Sequence, residues 1–327
     1  MYIIDRNLLQ IGDVVLTSAS TALSKGVRTF TKSDYSHAMI WVGGTLIHSD
    51  GGGVYSKNAD RLLFPAPDRV RVLRCKEQLT DEQMLSIITF ARSQVGKLYS
   101  VKDAINAKLK LNRVANQKQF CSRLVAQAYR NAGIDLVDNA DFCSPEEINS
   151  SELLYVVENY LKSATSSQIE FSSTVDHNDE IQRNTMTMLE NIRGLFNPSI
   201  QTLSDVLDHL NNHPEHDRPV TDFAIESGYF NHAEYDILKN PWRYSDTLFL
   251  EHTNNDESLS LYLAEFIENI GGDITKTHLF ELYKYQELYK KTPLYFYFEH
   301  IRLYKQLLNS HLLRYDVANS IRGHFSV

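Results

Sequence analysis

The sequence predicts an α+β first half followed by an all-helical second half. Three observations carry this reading. Short apolar runs of strand type, punctuated by glycines, crowd into residues 13–75. Apolar positions at helical spacing dominate from Asn184 onward. Between them runs Ser163-Ala-Thr-Ser-Ser-Gln168, polar and uncharged, followed by a strand-poor stretch. The division is drawn there, giving domains 1–165 and 166–327.

Asp13-Val-Val-Leu-Thr17 reads as a short strand, and residues 20–30 read as a short helix. Ala38-Met-Ile-Trp-Val42, then Gly43-Gly44, then Thr45-Leu-Ile-His-Ser49 predicts a hairpin with a primed two-residue turn, because that turn needs positive φ at both central positions. Gly51-Gly-Gly53 reads as a loop, and Val70-Arg-Val-Leu-Arg74 as another strand. Thr80 with Gln83 three residues later is a capping-box signature, opening a helix through about Ser93 that Gly96 ends. Leu124, Val125, Ala128, Tyr129 and Ala132 place a helix between Cys121 and Gly133. Residues 152–162 read as a further helix. The second half reads as helices over 185–196, 201–212, 219–228, 256–270, 275–290 and 294–313, punctuated by Asn197-Pro198 and Asn240-Pro241.

Composition narrows the function classes. Hydrophobic residues make up 43% and charged residues 23%, an ordinary globular balance that excludes collagen and long disorder. The net charge of −8 provides no general field for nucleic acid, and no nucleic-acid partner is expected. Three cysteines, Cys75, Cys121 and Cys143, are too few and odd for a disulfide framework. No run of 18 apolar residues and no basic-then-apolar leader occurs. The expected location is therefore cytoplasmic, although a non-classical export route would leave no mark.

Cys121 opens a predicted helix, where unpaired N–H groups and the positive end of the dipole favour a thiolate. Taken alone it reads rather as a small buried hydrophobe. The predicted hairpin changes that balance. A two-residue turn pairs Val42 with Thr45, so His37 faces Asp50 and Met39 faces His48. Side chains alternate with period two, and His37, Met39, His48 and Asp50 then share one face. Diagonal neighbours lie about 7–8 Å apart at the backbone, within imidazole reach. One ring can act as base and the other as the group that orients it. Nucleophile, base and orienter are the minimum set for covalent acyl transfer.

Four segments together resemble a known family: Gly12-Asp-Val-Val-Leu16, Ser33-Asp-Tyr-Ser-His-Ala-Met-Ile-Trp-Val-Gly43, Leu46-Ile-His48 and Phe120-Cys-Ser-Arg-Leu-Val-Ala-Gln-Ala-Tyr129. They resemble the circularly permuted papain-like branch of the NlpC/P60 superfamily, which includes YiiX-like amidases and lecithin:retinol acyltransferase-like enzymes. Ala91–Tyr99 and Cys143–Ile148 match further segments of that pattern, and the resemblance covers roughly residues 8–160. It implies an antiparallel sheet packed on the helix that carries the cysteine. It also implies Cys121 as nucleophile, His37 as base and His48 as the third polar residue. A histidine at the third position is closer to the acyltransferase-like members than to the YiiX-like ones. Asp50 is the reserve orienter. Tyr35 is a candidate to assist the oxyanion, and reads equally as a packed loop tyrosine. The expected substrate is an amide- or ester-linked acyl group. Cleavage of an amide bond is the first reading; a phospholipase or lipid acyltransferase in contact with membrane lipid, and a non-catalytic binding module, are the alternatives.

Two other clusters receive no functional role. His209 and His213 sit at i, i+4, as zinc helices require, but Pro214 breaks the helix and no H-E-x-x-H is present, so this run reads as a solvated helix end. The stripe Leu294-Tyr-Phe-Tyr-Phe298 with Ile301, Leu303, Tyr304, Leu307 and Leu308 reads as a core helix, with a lipid-facing helix as the minority reading. No cofactor and no metal is expected.

Overall fold

A computed structural model describes residues 1–18, 34–99 and 119–325, apart from the side chains of 266 and 269–274. The predicted helix at 20–30 lies outside the described residues. The chain divides into two compact units: 1–182 with 193–207, and 183–192 with 208–327.

In the first unit the strands are β1 (Tyr2–Ile4), β2 (Val14–Thr17), β3 (His37–Trp41), β4 (Leu46–Asp50), β5 (Gly53–Lys57), β6 (Leu63–Phe64) and β7 (Val70–Cys75). Helices α1 (Asp81–Ser93), α2 (Cys121–Asn131) and α3 (Pro145–Asn149) follow, then β8 (Leu154–Val156), β9 (Leu161–Ser163) and α4 (Ser166–Ser173). A six-stranded antiparallel sheet has the order β5-β4-β3-β2-β7-β8, and β6-β1-β9 form a smaller sheet.

The hairpin forms in the predicted register. Met39 pairs with His48, Ile40 with Ile47 and Trp41 with Leu46. Gly43 and Gly44 take φ of 78° and 81°, a conformation that strains any residue with a Cβ. Alternation divides the strand residues between two cores. Val14, Leu16, Ala38, Ile40, Ile47 and Leu73 pack against Leu124, Val125 and Tyr129 of α2. Val15, Met39, Trp41, Leu46 and Val72 pack on the other face with Ile4 and Phe64. The Gly12-Asp13 pair ties the layers together. Gly12 accepts the Tyr129 hydroxyl at 2.5 Å, and a Cβ at Gly12 would meet Leu79 at 2.6 Å. Asp13 is buried, and its carboxylate takes the Arg74 guanidinium at 2.7 and 2.8 Å.

The expected helix at 152–162 is instead the strand pair β8 and β9. Cys75, Arg74 and Leu73 pair with 154–156, and Tyr2, Ile3 and Ile4 pair with 161–163. Asn159 between them takes a φ of 54°, which breaks any helical run. Open strand edges elsewhere in the chain override the local helical pattern. Gly51–Gly53 is a tight turn leading into β5, a strand the glycine-loop reading did not include. The Thr80–Gln83 capping box is present in full.

The remaining helices are α5 (His177–Leu195), α6 (Leu203–Asn212), α7 (Asp217–Glu226), α8 (His232–Lys239), α9 (Asp246–His252), α10 (Glu257–Lys291) and α11 (Tyr295–Phe325). One helix, α10, spans the two predicted at 256–270 and 275–290. In the second unit α10 and α11 are long partners, with Phe249, Ala264, Val317, Ala318 and Ile321 between their ends and α9. The aromatic stripe is largely core: Phe296, Tyr297 and Leu303 are buried, while Tyr295 and Phe298 are exposed.

Candidate active site

Helix α2 begins at Cys121 without a side-chain cap. Its N-cap, Phe120, is extended and offers no acceptor, and the first turn carries no acidic residue. The start of the helix therefore carries no side-chain cap, and Cys121 is its first residue. Cys121 is only 3% exposed. The turn is pinned from behind. Ser122 Oγ donates to the Cys143 carbonyl at 2.7 Å, and Arg123 Nε donates to the Asp141 carbonyl at 2.7 Å. The buried Arg123 guanidinium lies over the rings of Phe120 and Phe142, at 4.5 and 4.9 Å. These flanking contacts fix the entry into α2 although neither residue does chemistry.

The two histidines meet. His37 Nε2 and His48 Nδ1 are 2.9 Å apart, with the rings edge to face. His37 is partly buried and His48 is 5% exposed. Burial, reinforced by His37 and Lys57, pushes the His48 pKa well below the ordinary histidine value. His48 is thus a neutral imidazole at physiological pH. Its Nε2 is buried with no hydrogen-bond partner among the described residues.

Asp50 is the last residue of β4. Its carboxylate stands 4.0 Å from His48 Nδ1 and is engaged by the Tyr55 hydroxyl at 2.7 Å and the Gly52 N–H at 2.8 Å. Tyr55 lies across the strand from His48, with ring centroids 4.3 Å apart. Burial and the Asp50 carboxylate raise the Tyr55 pKa, so the phenol remains a donor. Sequence reading missed Tyr55 because β5 was taken as the end of a glycine loop. Alternation from His48 would have pointed to it.

Tyr35 is 4% exposed and packs in the same core cluster as Cys121. Arg71 stands over its ring at 5.2 Å. Burial is the main cause of its raised pKa. Tyr99 is a second tyrosine at the site. It bridges Gln119, two residues before the cysteine. Its pKa is raised by burial first, then by the charges of Cys121 and Asp50. Helix α2 also packs on β3 and β4, the strands that carry the histidines.

Residues 8–165 match the sequence model of the family described as "Permuted papain-like amidase enzyme, YaeF/YiiX, C92 family". The match supports a permuted papain-like fold over these residues. The order along this papain-like domain is histidine strand first and cysteine helix second, as the resemblance implied. The family match supports a hydrolase of amide bonds in general. Among solved structures, the chain is similar to the metalloprotein YiiX from Escherichia coli O157:H7, at 18% identity and a TM-score of 0.31, covering 45% of this chain and 96% of that one. No curated protein matches the chain. Among the described residues, no helix is long and apolar enough to cross a membrane.

Proposed function

We propose that the papain-like domain is a cysteine hydrolase that cleaves an amide bond through a thioester acyl-enzyme. The observation that carries this reading is the 2.9 Å contact between His37 and His48, on strands packed against the helix that opens with Cys121. His37 takes the Cys121 thiol proton, and the thiolate sulfur attacks the carbonyl carbon. The tetrahedral oxyanion is met by the Cys121 backbone N–H, with Tyr35 as the assisting candidate. Collapse breaks the carbon–nitrogen bond, and the amine leaves with the proton from His37. Water then gives its proton to His37 and attacks the thioester. The acid is released, and the proton returns to sulfur.

In this scheme His48 is the acceptor that orients the base. When His37 is an imidazolium, both of its ring nitrogens are donors, and Nε2–H points at His48 Nδ1. A neutral His48 can receive that hydrogen bond and a protonated one cannot. Burial of His48 supplies the neutral form.

The test is a screen of amide, peptide and ester-linked lipid substrates read by mass spectrometry, comparing wild type with Cys121→Ala. A product formed by wild type and absent with Cys121→Ala supports the reading. Equal turnover by the two proteins refutes it, and release only from ester-linked lipid changes the substrate class.

A further inference from the structure

The run from His209 to His216 lies wholly in the second unit. His209 and His213 stand one helical turn apart, and Pro214 ends α6, which is why the sequence favoured a solvated helix end. The fold shows what the proline does next. Residues Pro214–His216 form a 3₁₀ turn. The His213 N–H donates to the His209 carbonyl at 2.8 Å, and the His216 N–H to the His213 carbonyl at 3.0 Å. The turn therefore returns a third imidazole to the first two. The three ring centroids form a nearly equilateral triangle with sides of 5.0, 5.1 and 5.3 Å.

One imidazole offers one nitrogen to an ion, and His216 has a neighbour at each of its two. His209 Nε2 and His216 Nδ1 are 3.0 Å apart, and His213 Nδ1 lies 3.2 Å from Glu215 Oε1. His216 Nε2 is 4.0 Å from that same oxygen. His213, Glu215 and His216 each bring one ligand atom within 4.8 Å of the others. A tetrahedral zinc ion with bonds of about 2.0–2.1 Å separates its ligands by roughly 3.3 Å along each edge. Imidazole nitrogen with one carboxylate is a donor set suited to zinc, copper and nickel. Both ends of the stretch are anchored. Leu210 is fully buried, and Asp217, next after His216, accepts the N–H groups of Tyr295 and Phe296 at 2.6 and 2.9 Å. His213 and Glu215 are more than half exposed, so an ion has a path in.

We infer that His213, Glu215 and His216 form a binding site for a divalent transition-metal ion of the Zn²⁺ class, with His209 holding the other ring nitrogen of His216. All three ligands come from four consecutive residues, and the ion staples the turn between α6 and α7. Its role is structural.

The test uses the full-length protein stripped with a chelator. Zn²⁺ is titrated in competition with a chromogenic zinc indicator, and its position is read by mass spectrometry after diethyl pyrocarbonate labelling of histidines. Wild type should bind one ion that shields His213 and His216 from label. Loss of an outer partner of a metal site costs about 10–100-fold in affinity, so His213→Ala and His216→Ala should each weaken binding by at least ~10-fold. Glu215→Gln, at an exposed carboxylate, should also weaken it, and serves if a histidine variant fails to fold. Equal labelling of His213 and His216 with and without Zn²⁺ overturns the inference. So does wild-type affinity in His213→Ala, His216→Ala or Glu215→Gln.

Discussion

Replacing His48 by alanine should lower kcat/KM by about 10–150-fold while the domain stays folded. The figure follows from the hydrogen bond the substitution removes. His37 Nε2 and His48 Nδ1 are 2.9 Å apart in a site where His48 is almost fully buried. In the proposed mechanism His37 becomes positively charged as the reaction proceeds, so the bond to neutral His48 becomes charge-assisted. Hydrogen bonds to charged groups contribute about 1.5–3 kcal/mol, and each ~1.4 kcal/mol is tenfold in rate. His37→Ala removes the base itself and should cost about 10²–10⁴-fold. Asp50→Ala should cost less than His48→Ala, because Asp50 is already held by Tyr55 and the Gly52 N–H and stands 4.0 Å from His48. His48→Asn returns an acceptor oxygen and should recover part of the loss. The assay is steady-state kcat/KM on the amide found in the screen, with thermal melting by circular dichroism as the folding control. A folded His48→Ala protein within twofold of wild type would refute the reasoning, as would Asp50→Ala being the more damaging change.

Low-dose iodoacetamide at neutral pH should label Cys121 first, because Cys143 is fully buried with a raised pKa and half-buried Cys75 lies on a strand; peptide mapping that finds Cys75 or Cys143 modified first would reverse the assignment of the nucleophile. The second unit should lose stability on mild acidification. His300 is fully buried and its pKa is pushed down to about 3, chiefly by burial, so the unfolded chain binds more protons between about pH 3 and 6.5. The stabilising contribution is complete above pH 6.5 and is lost as pH falls; at pH 5 the loss is roughly 2 kcal/mol, from 1.5 pH units at ~1.36 kcal/mol each. Denaturant midpoints of His300→Phe should vary less between pH 7 and 5 than those of wild type, and parallel profiles would remove His300 as the cause. A fragment ending at Thr165 should melt below one ending at Gln182. Arg61 donates to the carbonyls of Phe171, Thr174 and Val175 and covers the Phe171 ring, so the shorter fragment strips a whole guanidinium of its partners. Equal melting temperatures would show that 166–182 adds nothing to the first unit.

What was legible in the sequence was local chemistry with a fixed geometry. Gly43-Gly44 admits few turns, and the turn sets the strand register, so two histidines eleven residues apart were assigned to one face and lie in contact. Thr80 and Gln83 close a capping box because the side chains reach within one helical turn. What was not legible depends on distant parts of the chain. Residues 154–163 carry apolar spacing that suits a helix, and become strands only because Cys75 and Tyr2 lie at open edges. Pro214 announces that a helix stops, but not that the next turn returns His216 to His209. Arg123 reads as an ordinary helix residue, yet it is buried between two phenylalanines that lie three residues before it and nineteen after it.

The division of the sheet into two faces sets a condition on the proposed chemistry. Helix α2 covers the face of Ala38, Ile40 and Ile47, while Met39, Trp41 and Leu46 face the opposite core. By alternation His37 and His48 belong with Met39, on the face away from the helix layer. A base in mid-strand on that face would be walled off from Cys121 by the sheet backbone. The proposed mechanism therefore requires His37, the first residue of β3, to reach Cys121 round the strand end. Two residues earlier, Tyr35 already packs in the cluster that contains Cys121. The strand end is thus where the proposed mechanism needs groups from the two layers to meet. In that mechanism His48, further in along its strand, does not take the thiol proton itself. It is suited to hold His37, and the burial that keeps it neutral fits it for that single task.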